Sequence, residues 1–271
     1  MPELPEVETI RRDLTSRILN KTLNEIFVLH KNFLTKSKIS LNELLTLKGR
    51  KLLSLERKGK YLFFNFEEKT LIFHPGLTGA LILDLHPIPE NLKKHHLLTM
   101  TFERNTLYYI DIRKFGKIYL IDSLKISSFL NQIGPDALQI EFEKFRELLQ
   151  KHNLKIKTLL LNQRLISGLG NIYTDEILFR AKINPERLSN TLSEEEIKSL
   201  YEIMKSLLKE AILLRGSSVK NYVDGEGKRG KFQERHLVYG KKGRPCPECG
   251  TPLQYKKINQ RGTVFCPNCQ K

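Results

Sequence analysis

The sequence predicts an α+β chain of several domains: a strand-rich N-terminal part, a helical second part and a metal-stapled hairpin at the C-terminus. Three observations carry that reading. From Leu23 to about Leu124 short apolar runs alternate with turn residues, which favours an antiparallel sandwich or barrel. Beyond them the apolar period lengthens to that of helices. The four cysteines all lie near the C-terminus, as two C-x₂-C pairs. A length of 271 residues suits about two domains of ordinary size, each able to bury a core.

The first element is a helix. Pro5 suits its first position, Glu6 and Glu8 suit the positive end of its dipole, and Val7, Ile10 and Leu14 share one face. Strand candidates within that stretch include 61–66, 70–73, 80–83, 97–102, 107–110 and 117–121. Asn131-Gln-Ile-Gly-Pro-Asp136 reads as a hinge. Helices are expected over 141–151, 156–162, 171–181 and 193–214, the last opened by the capping-box pattern Ser193-Glu-Glu-Glu196. The polar, glycine-rich stretch 216–230 reads as a mobile loop. The expected organisation is thus 1–130 for the sandwich domain, 131–136 for the linker, 137–235 for the helical domain and 236–271 for the cysteine hairpin.

Lys and Arg number 46 against 30 Asp and Glu, a net charge of +16. The partner is therefore expected to be polyanionic, nucleic acid first and an acidic membrane surface second. No apolar run approaches the roughly 20 residues that span a bilayer. Charged residues Glu3, Glu6, Glu8, Arg11 and Arg12 occupy the place of a signal-peptide core.

Cys246-Pro-Glu-Cys249 and Cys266-Pro-Asn-Cys269 are separated by 16 residues, the spacing of a four-thiolate zinc site. Four protein ligands leave no open position, so one structural Zn²⁺ is expected; two disulfides or four unrelated thiols are the alternatives. Lys241, Lys242, Arg244, Lys256, Lys257 and Arg261 surround the pairs. They suit phosphate contact, or simply a solvated basic surface. In Gln163-Arg-Leu-Ile-Ser-Gly-Leu-Gly-Asn171 the glycines allow close backbone approach, and Asn171 is a candidate helix cap. At the other end, removal of Met1 would leave the secondary amine of Pro2. Such an amine is partly free base near neutral pH, and its addition to a sugar C1′ gives an iminium ion that acidifies the C2′ proton. Glu3 beside it is placed to move protons.

Together, Pro2-Glu-Leu-Pro-Glu-Val-Glu-Thr9, the Gly168-Leu-Gly-Asn-Ile-Tyr173 turn and the four-cysteine finger resemble the formamidopyrimidine-DNA glycosylases, from residue 2 to the C-terminus. The resemblance implies an N-terminal β-sandwich, a helix–two-turn–helix domain and a zinc finger, with DNA in the cleft between. It implies a bifunctional repair enzyme that excises 8-oxoguanine and formamidopyrimidines and then cuts the strand by β,δ-elimination. Pro2 matches the Schiff-base nucleophile, Glu3 the acid, Lys60 the lysine of β-elimination and phosphate contact, and Arg261 the arginine of phosphate binding and δ-elimination. Asn171 matches a phosphate contact at the lesion.

Because the target base must leave the stack, the gap needs filling. Arg113 and Phe115, in Asp111-Ile-Arg-Lys-Phe-Gly116, match the residues that meet the orphaned base and wedge the stack. Leu77, in His74-Pro-Gly-Leu-Thr-Gly79, stands where the family commonly has methionine. Lys94 stands where histidine is often found near a phosphate. Lys60, Lys157, Arg113 and Arg261 are expected to neutralise phosphates and make binding strongly salt-dependent. The expected partner is double-stranded DNA carrying an oxidised purine or abasic site, met by a monomer in the bacterial cytoplasm and not by a membrane-bound protein. Two alternatives stand: an endonuclease VIII-type pyrimidine glycosylase, and a non-catalytic zinc-ribbon protein. The start Pro2-Glu-Leu-Pro-Glu and the finger spacer argue against the first; Pro2, Glu3 and Lys60 are left unexplained by the second.

Overall fold

The computed structural model describes residues 2–271 apart from His86, Lys220 and Asn221 and the side chain of Lys31. The chain divides into two compact units, one of Met1–Gln132 with Leu214–Gln233, the other of Ile133–Leu213 with Glu234–Lys271.

In the first unit, helix α1 (Leu4–Ile18) follows Glu3, whose extended backbone caps it. Val7, Ile10, Leu14 and Ile18 form its buried stripe, as the 3.6-residue period requires. The described strands are β1 (Leu23–Val28), β2 (Ser54–Lys58), β3 (Tyr61–Asn65), β4 (Lys69–His74), β5 (Gly79–Leu83), β6 (His96–Phe102), β7 (Asn105–Asp111) and β8 (Lys117–Asp122). They form two antiparallel sheets in the orders β1-β6-β7-β5 and β2-β3-β4-β8. One apolar cluster takes Leu62, Phe64, Leu71, Phe73 and Ile118 from one sheet and Leu81, Met100, Phe102 and Tyr109 from the other. Phe73 meets Tyr109 across it, ring centroids 5.6 Å apart. Of the two architectures open to the sequence, this is the sandwich.

Three short helices interrupt what the sequence suggests is all strand, α2 (Lys31–Ser37), α3 (Leu41–Leu45) and α4 (Glu90–Lys93), and a fourth, α5 (Ile126–Leu130), follows it. Segments of one or two turns are too short for helical and strand periods to be told apart. Helix α3 is set by a local signal, the Ser40 hydroxyl accepting from Glu43 N–H at 3.1 Å while Glu43 accepts from Ser40 N–H at 2.7 Å. Helix α5 puts Phe129 against Tyr61, Phe63 and Tyr119 on the outer face of the second sheet. Both faces of β3 are therefore covered, which explains its unbroken apolar run.

The stretch read as a mobile loop of the helical domain belongs, in its described residues, to the first unit, and Ser217, Ser218 and Asp224 are buried there. Its polar groups find partners instead of water. Arg215 bridges Asp13 (2.7 Å) and Asp224 (2.6 Å), Asp224 accepts from Glu226 N–H and Lys228 N–H, and Gly225 C=O accepts from Leu83 N–H at 2.8 Å. Polarity signals loop mobility only where such pairing is absent. Lys220 and Asn221, inside that expected loop, lie outside the described residues.

The second unit carries α6 (Phe142–Lys151), α7 (Ile156–Leu161), α8 (Asn171–Arg180), α9 (Glu194–Leu213) and the hairpin β9 (Gln254–Ile258) with β10 (Arg261–Phe265). Each helix lies within a residue of its expected ends. Ser193 and Glu196 make the capping box of α9. Ile197, Leu200, Met204, Leu207, Leu208 and Ala211 are its buried face.

Candidate functional site

Pro2 stands one residue ahead of the cap of α1, and Pro2, Glu3 and Glu6 are buried. Glu6 holds this start in place: one carboxylate oxygen accepts from Glu3 N–H at 2.8 Å, the other from Ser217 N–H at 2.7 Å. Met1, whose removal would make Pro2 the N-terminus, lies outside the described residues.

Lys60 is buried in the two-residue turn between β2 and β3, where Lys58 pairs with Tyr61. Gly59 sits at φ +57°, the left-handed first position of a type II′ hairpin turn that only glycine adopts without strain. Arg57 fixes this turn, donating to Gly59 C=O at 3.0 Å and to Glu8 of α1 at 3.1 Å. Burial pushes the Glu8 carboxyl up, but hydrogen bonds from Arg11 and Arg12 and the charges of Arg11 and Arg57 outweigh it and hold it at about 2. His74, whose ring lies tilted against Tyr61 with centroids 4.7 Å apart, is pushed down to about 4 by burial and by the charges of Lys60 and Lys117. It is therefore neutral at pH 7. Its Nδ1 accepts from Gly76 N–H at 3.3 Å.

Leu77 and the pair Arg113 and Phe115 occupy two turns at one end of the first sheet, where Gly79 pairs with Asp111. Leu77 is half-buried. The Arg113 guanidinium lies 4.8 Å over the Phe115 ring, and that ring is 52% exposed. An exposed phenylalanine held by an arginine is not a core residue. Lys94 is exposed at the end of α4.

In the second unit, Gly168 takes φ +105° and Gly170, not Asn171, caps α8. The capping expected of Asn171 gives way to a different bond: its Nδ2 donates to Gly262 C=O in the finger at 2.8 Å, and its buried Oδ1 has no partner among the described residues. Lys157 departs from the expectation of an exposed phosphate contact. Its side chain is fully buried and its ammonium donates to Asp175 (2.5 Å), Thr263 Oγ1 (2.8 Å) and Gly262 C=O (3.1 Å). Three donors meet three acceptors, so the charge is spent inside the unit. Burial pushes the Asp175 carboxyl up, to about 6, against the pull of Lys157. The neighbouring Glu176 accepts from the N–H groups of Leu237, Val238 and Tyr239 and from Arg180.

Arg261 is exposed at the tip of the hairpin, after a two-residue turn in which Asn259 (φ +45°) and Gln260 (φ +61°) are both left-handed. Of its basic neighbours, Lys256 pairs with Glu186 at 2.5 Å and Lys242 lies over Tyr255. The sulfurs of Cys246, Cys249, Cys266 and Cys269 all lie within 4.8 Å of one another. Zn–S bonds of about 2.3 Å in a tetrahedron place sulfurs about 3.8 Å apart; Cys246–Cys269 is 3.9 Å and Cys249–Cys266 3.5 Å. Backbone N–H groups of Glu248 and Cys269 point at Cys246 Sγ and Cys266 Sγ at 3.4 Å, the outer hydrogen bonds a thiolate cage uses. The set fits one structural zinc.

Glu6, Arg57, His74, Asp111, Asp175 and Glu176 carry these arrangements and were not singled out by the sequence. Most of them have a partner in their own turn or helix: Glu6 with Glu3, Arg57 with Gly59, His74 with Gly76, Asp111 with Arg113 and Gly116 and Glu176 with Arg180; Asp175 is partnered through the fold.

The folded units and the thiolate finger are those of zinc-finger DNA glycosylases. Family models match over most of the chain: the formamidopyrimidine-DNA glycosylase N-terminal domain over residues 1–118, its H2TH domain over 133–223, and the zinc finger found in FPG and IleRS over 243–271. Formamidopyrimidine-DNA glycosylases of Cytobacillus firmus and Halalkalibacterium halodurans are each 40% identical over the whole of both chains. A Lactococcus lactis Fpg in complex with abasic-site DNA superposes with a TM-score of 0.90 at 38% identity, covering 99% of each chain. The wild-type Lactococcus lactis Fpg with N7-benzyl-Fapy-dG DNA gives 0.90 at 39% over all of both. The chain belongs to the formamidopyrimidine-DNA glycosylase family. No described helix is long and apolar enough to cross a membrane.

Proposed function

We propose that this chain is a base-excision repair enzyme that removes oxidised purines from double-stranded DNA and cleaves the strand at the resulting abasic site. The observation that carries the reading is the buried Pro2–Glu3 start of α1, fastened by Glu6, in a chain 40% identical over its full length to formamidopyrimidine-DNA glycosylases.

In this reading the Pro2 nitrogen bonds to C1′ as the bond from C1′ to the base breaks, and the base leaves with a proton. Glu3 protonates O4′ as the sugar ring opens, giving the iminium. Loss of the C2′ proton expels the 3′ phosphate, and a second elimination expels the 5′ phosphate. Lys60 acts in the first elimination and Arg261 in the second, each holding a phosphate oxygen. Leu77, Arg113 and Phe115 fill the place of the extruded base. Asn171, Arg113 and Lys94 contact the DNA, whereas Lys157, with its ammonium buried, serves by holding the turn that carries Arg261. Zinc bound by Cys246, Cys249, Cys266 and Cys269 shapes the finger and takes no part in the chemistry. The protein works as a monomer, since a lesion has no two-fold symmetry, on the chromosome in the bacterial cytoplasm.

Borohydride trapping on a duplex with one 8-oxoguanine opposite cytosine tests this. The expected result is a covalent adduct mapped to Pro2 and lost in Pro2→Gly, with intact mass showing that Met1 is gone. Tight zinc-dependent binding with neither adduct nor strand cleavage overturns it in favour of a binding module. Preferential release of thymine glycol would move the protein to the pyrimidine-directed branch.

A further inference from the structure

We propose that Asp111 and Thr78 are positioning residues that lock the turn bearing Leu77 and the turn bearing Arg113 and Phe115 into a single preformed wedge. The inference rests on the gap-filling role proposed above for those three side chains.

Asp111 is wholly buried, and its carboxylate is occupied by the two turns. One oxygen accepts from Thr78 Oγ1 at 2.5 Å and from Arg113 N–H at 3.2 Å. The other accepts from Gly116 N–H at 2.8 Å. Arg113 N–H also points at Thr78 Oγ1, at 2.9 Å, so the threonine hydroxyl donates to one turn's acid and accepts from the other turn's backbone. A buried carboxylate is costly unless hydrogen-bonded, and here the donors are groups of the wedge itself.

Packing reinforces the bond pattern. A Cβ on Gly76 would come within 2.5 Å of Gly116 N and 2.6 Å of Phe115 C, and one on Gly116 within 1.7 Å of Tyr109 Oη. The turns thus meet backbone to backbone, and neither shifts without the other. Lys114, left-handed at φ +53°, turns the chain so that Arg113 and Phe115 project outward together. Burying Phe115 in its own protein would be the default for an apolar ring; this framework keeps it presented.

A wedge fixed in advance enters the stack without ordering itself first. Asp111 and Thr78 act through Leu77, Arg113 and Phe115 and not on the reacting sugar. Loosening the wedge should therefore slow base extrusion and blur the reading of the opposite base, while an abasic site, with no base to extrude, is cut nearly as before.

The experiment compares Thr78→Val, Thr78→Ser and Asp111→Asn under single-turnover conditions. Substrates are duplexes with 8-oxoguanine opposite C or A and a duplex with a preformed abasic site. Thr78→Val, which keeps the side-chain shape, is expected to lower excision about tenfold and narrow the C-over-A preference, with abasic cleavage changed by no more than about twofold. Thr78→Ser restores the wild-type values. Equal losses in excision and abasic cleavage, or no loss in either, overturn the proposal. Leu77→Ala and Phe115→Ala separate the two levels. If these leave excision intact, the gap-filling reading itself fails; if they slow it and Thr78→Val does not, only the locking role fails.

Discussion

The β-sandwich and the zinc finger hold their functional groups by opposite means. In the first unit a large apolar cluster from two sheets and α1 sets the frame, and a few carboxylates fine-tune the turns at its edges: Glu6 at the N-terminus, Glu8 through Arg57 at the Lys60 turn, Asp111 at the wedge. The finger has only a small apolar cluster, Val238, Leu253 and Val264 with Cys246, Cys266 and Phe179. What fixes it is polar and ionic: Asn171, Asp175 and Glu176 on α8, Lys157 beneath the hairpin, and the metal. Where burial is too small to define a conformation, directional bonds must do so.

Metal removal should break this contrast most sharply. Structural zinc contributes about 10 kcal/mol or more to the folding of small finger domains, whereas the described residues of the sandwich hold no comparable ligand cluster. Cys249→Ser is expected to lose zinc and the cysteine hairpin, reduce DNA affinity by orders of magnitude, and leave the melting of the first unit in place. Metal analysis, calorimetry and binding at fixed salt check it. Unchanged DNA affinity in a zinc-free variant would remove the finger from the DNA interface.

The next largest effect tests the polar anchors. Lys157→Ala leaves Asp175 buried without its cation, a loss of about 3–5 kcal/mol. Lys157→Met with Asp175→Leu removes both charges and should recover much of the stability, measured by denaturant unfolding of the second unit. If the anchor also positions Arg261, the double variant stays folded yet cleaves poorly after the first elimination, so β-elimination products accumulate over δ products. A Lys157 that instead meets phosphate directly would show as a lower salt slope of binding in the stable double variant.

The same contrast explains what the sequence disclosed. Helices α1, α6, α8 and α9 were legible from their apolar period, and the six apolar strands from short apolar runs between turn residues. The zinc site was legible because its ligands sit at fixed short spacings, and Pro2, Glu3, Lys60 and Arg261 because they lie in motifs. Strands β1 and β2 fall inside the strand-rich stretch but were not delimited: Ser54-Leu-Glu-Arg-Lys58 has one apolar residue and is held by its pairing with β3. The burial of Lys157 was hidden as well, since its partners Asp175 and Thr263 are 18 and 106 positions away. So was the ordering of the described residues in 214–233, where Arg215 reaches Asp13 across 202 positions. Long-range ion pairs leave no periodic trace.

The smallest effect concerns the sandwich and its pH dependence. Glu8 is held at about 2 while it accepts from Arg11, Arg12 and Arg57. Because its folded-state pKa lies below the unfolded value near 4.5, the unfolded chain binds the extra proton. Its contribution is therefore complete above about pH 4.5 and is lost as pH falls toward 2. Glu8→Gln keeps the shape and removes the charge. It is expected to cost about 2 kcal/mol at pH 7, with the gap to wild type closing in acid. Zinc leaves its thiolates as pH falls, but that loss is common to both proteins, so the difference between their stability curves isolates Glu8. A gap that stays constant from pH 7 to pH 3 would mean that shape, and not charge, ties α1 to the turn of Lys60.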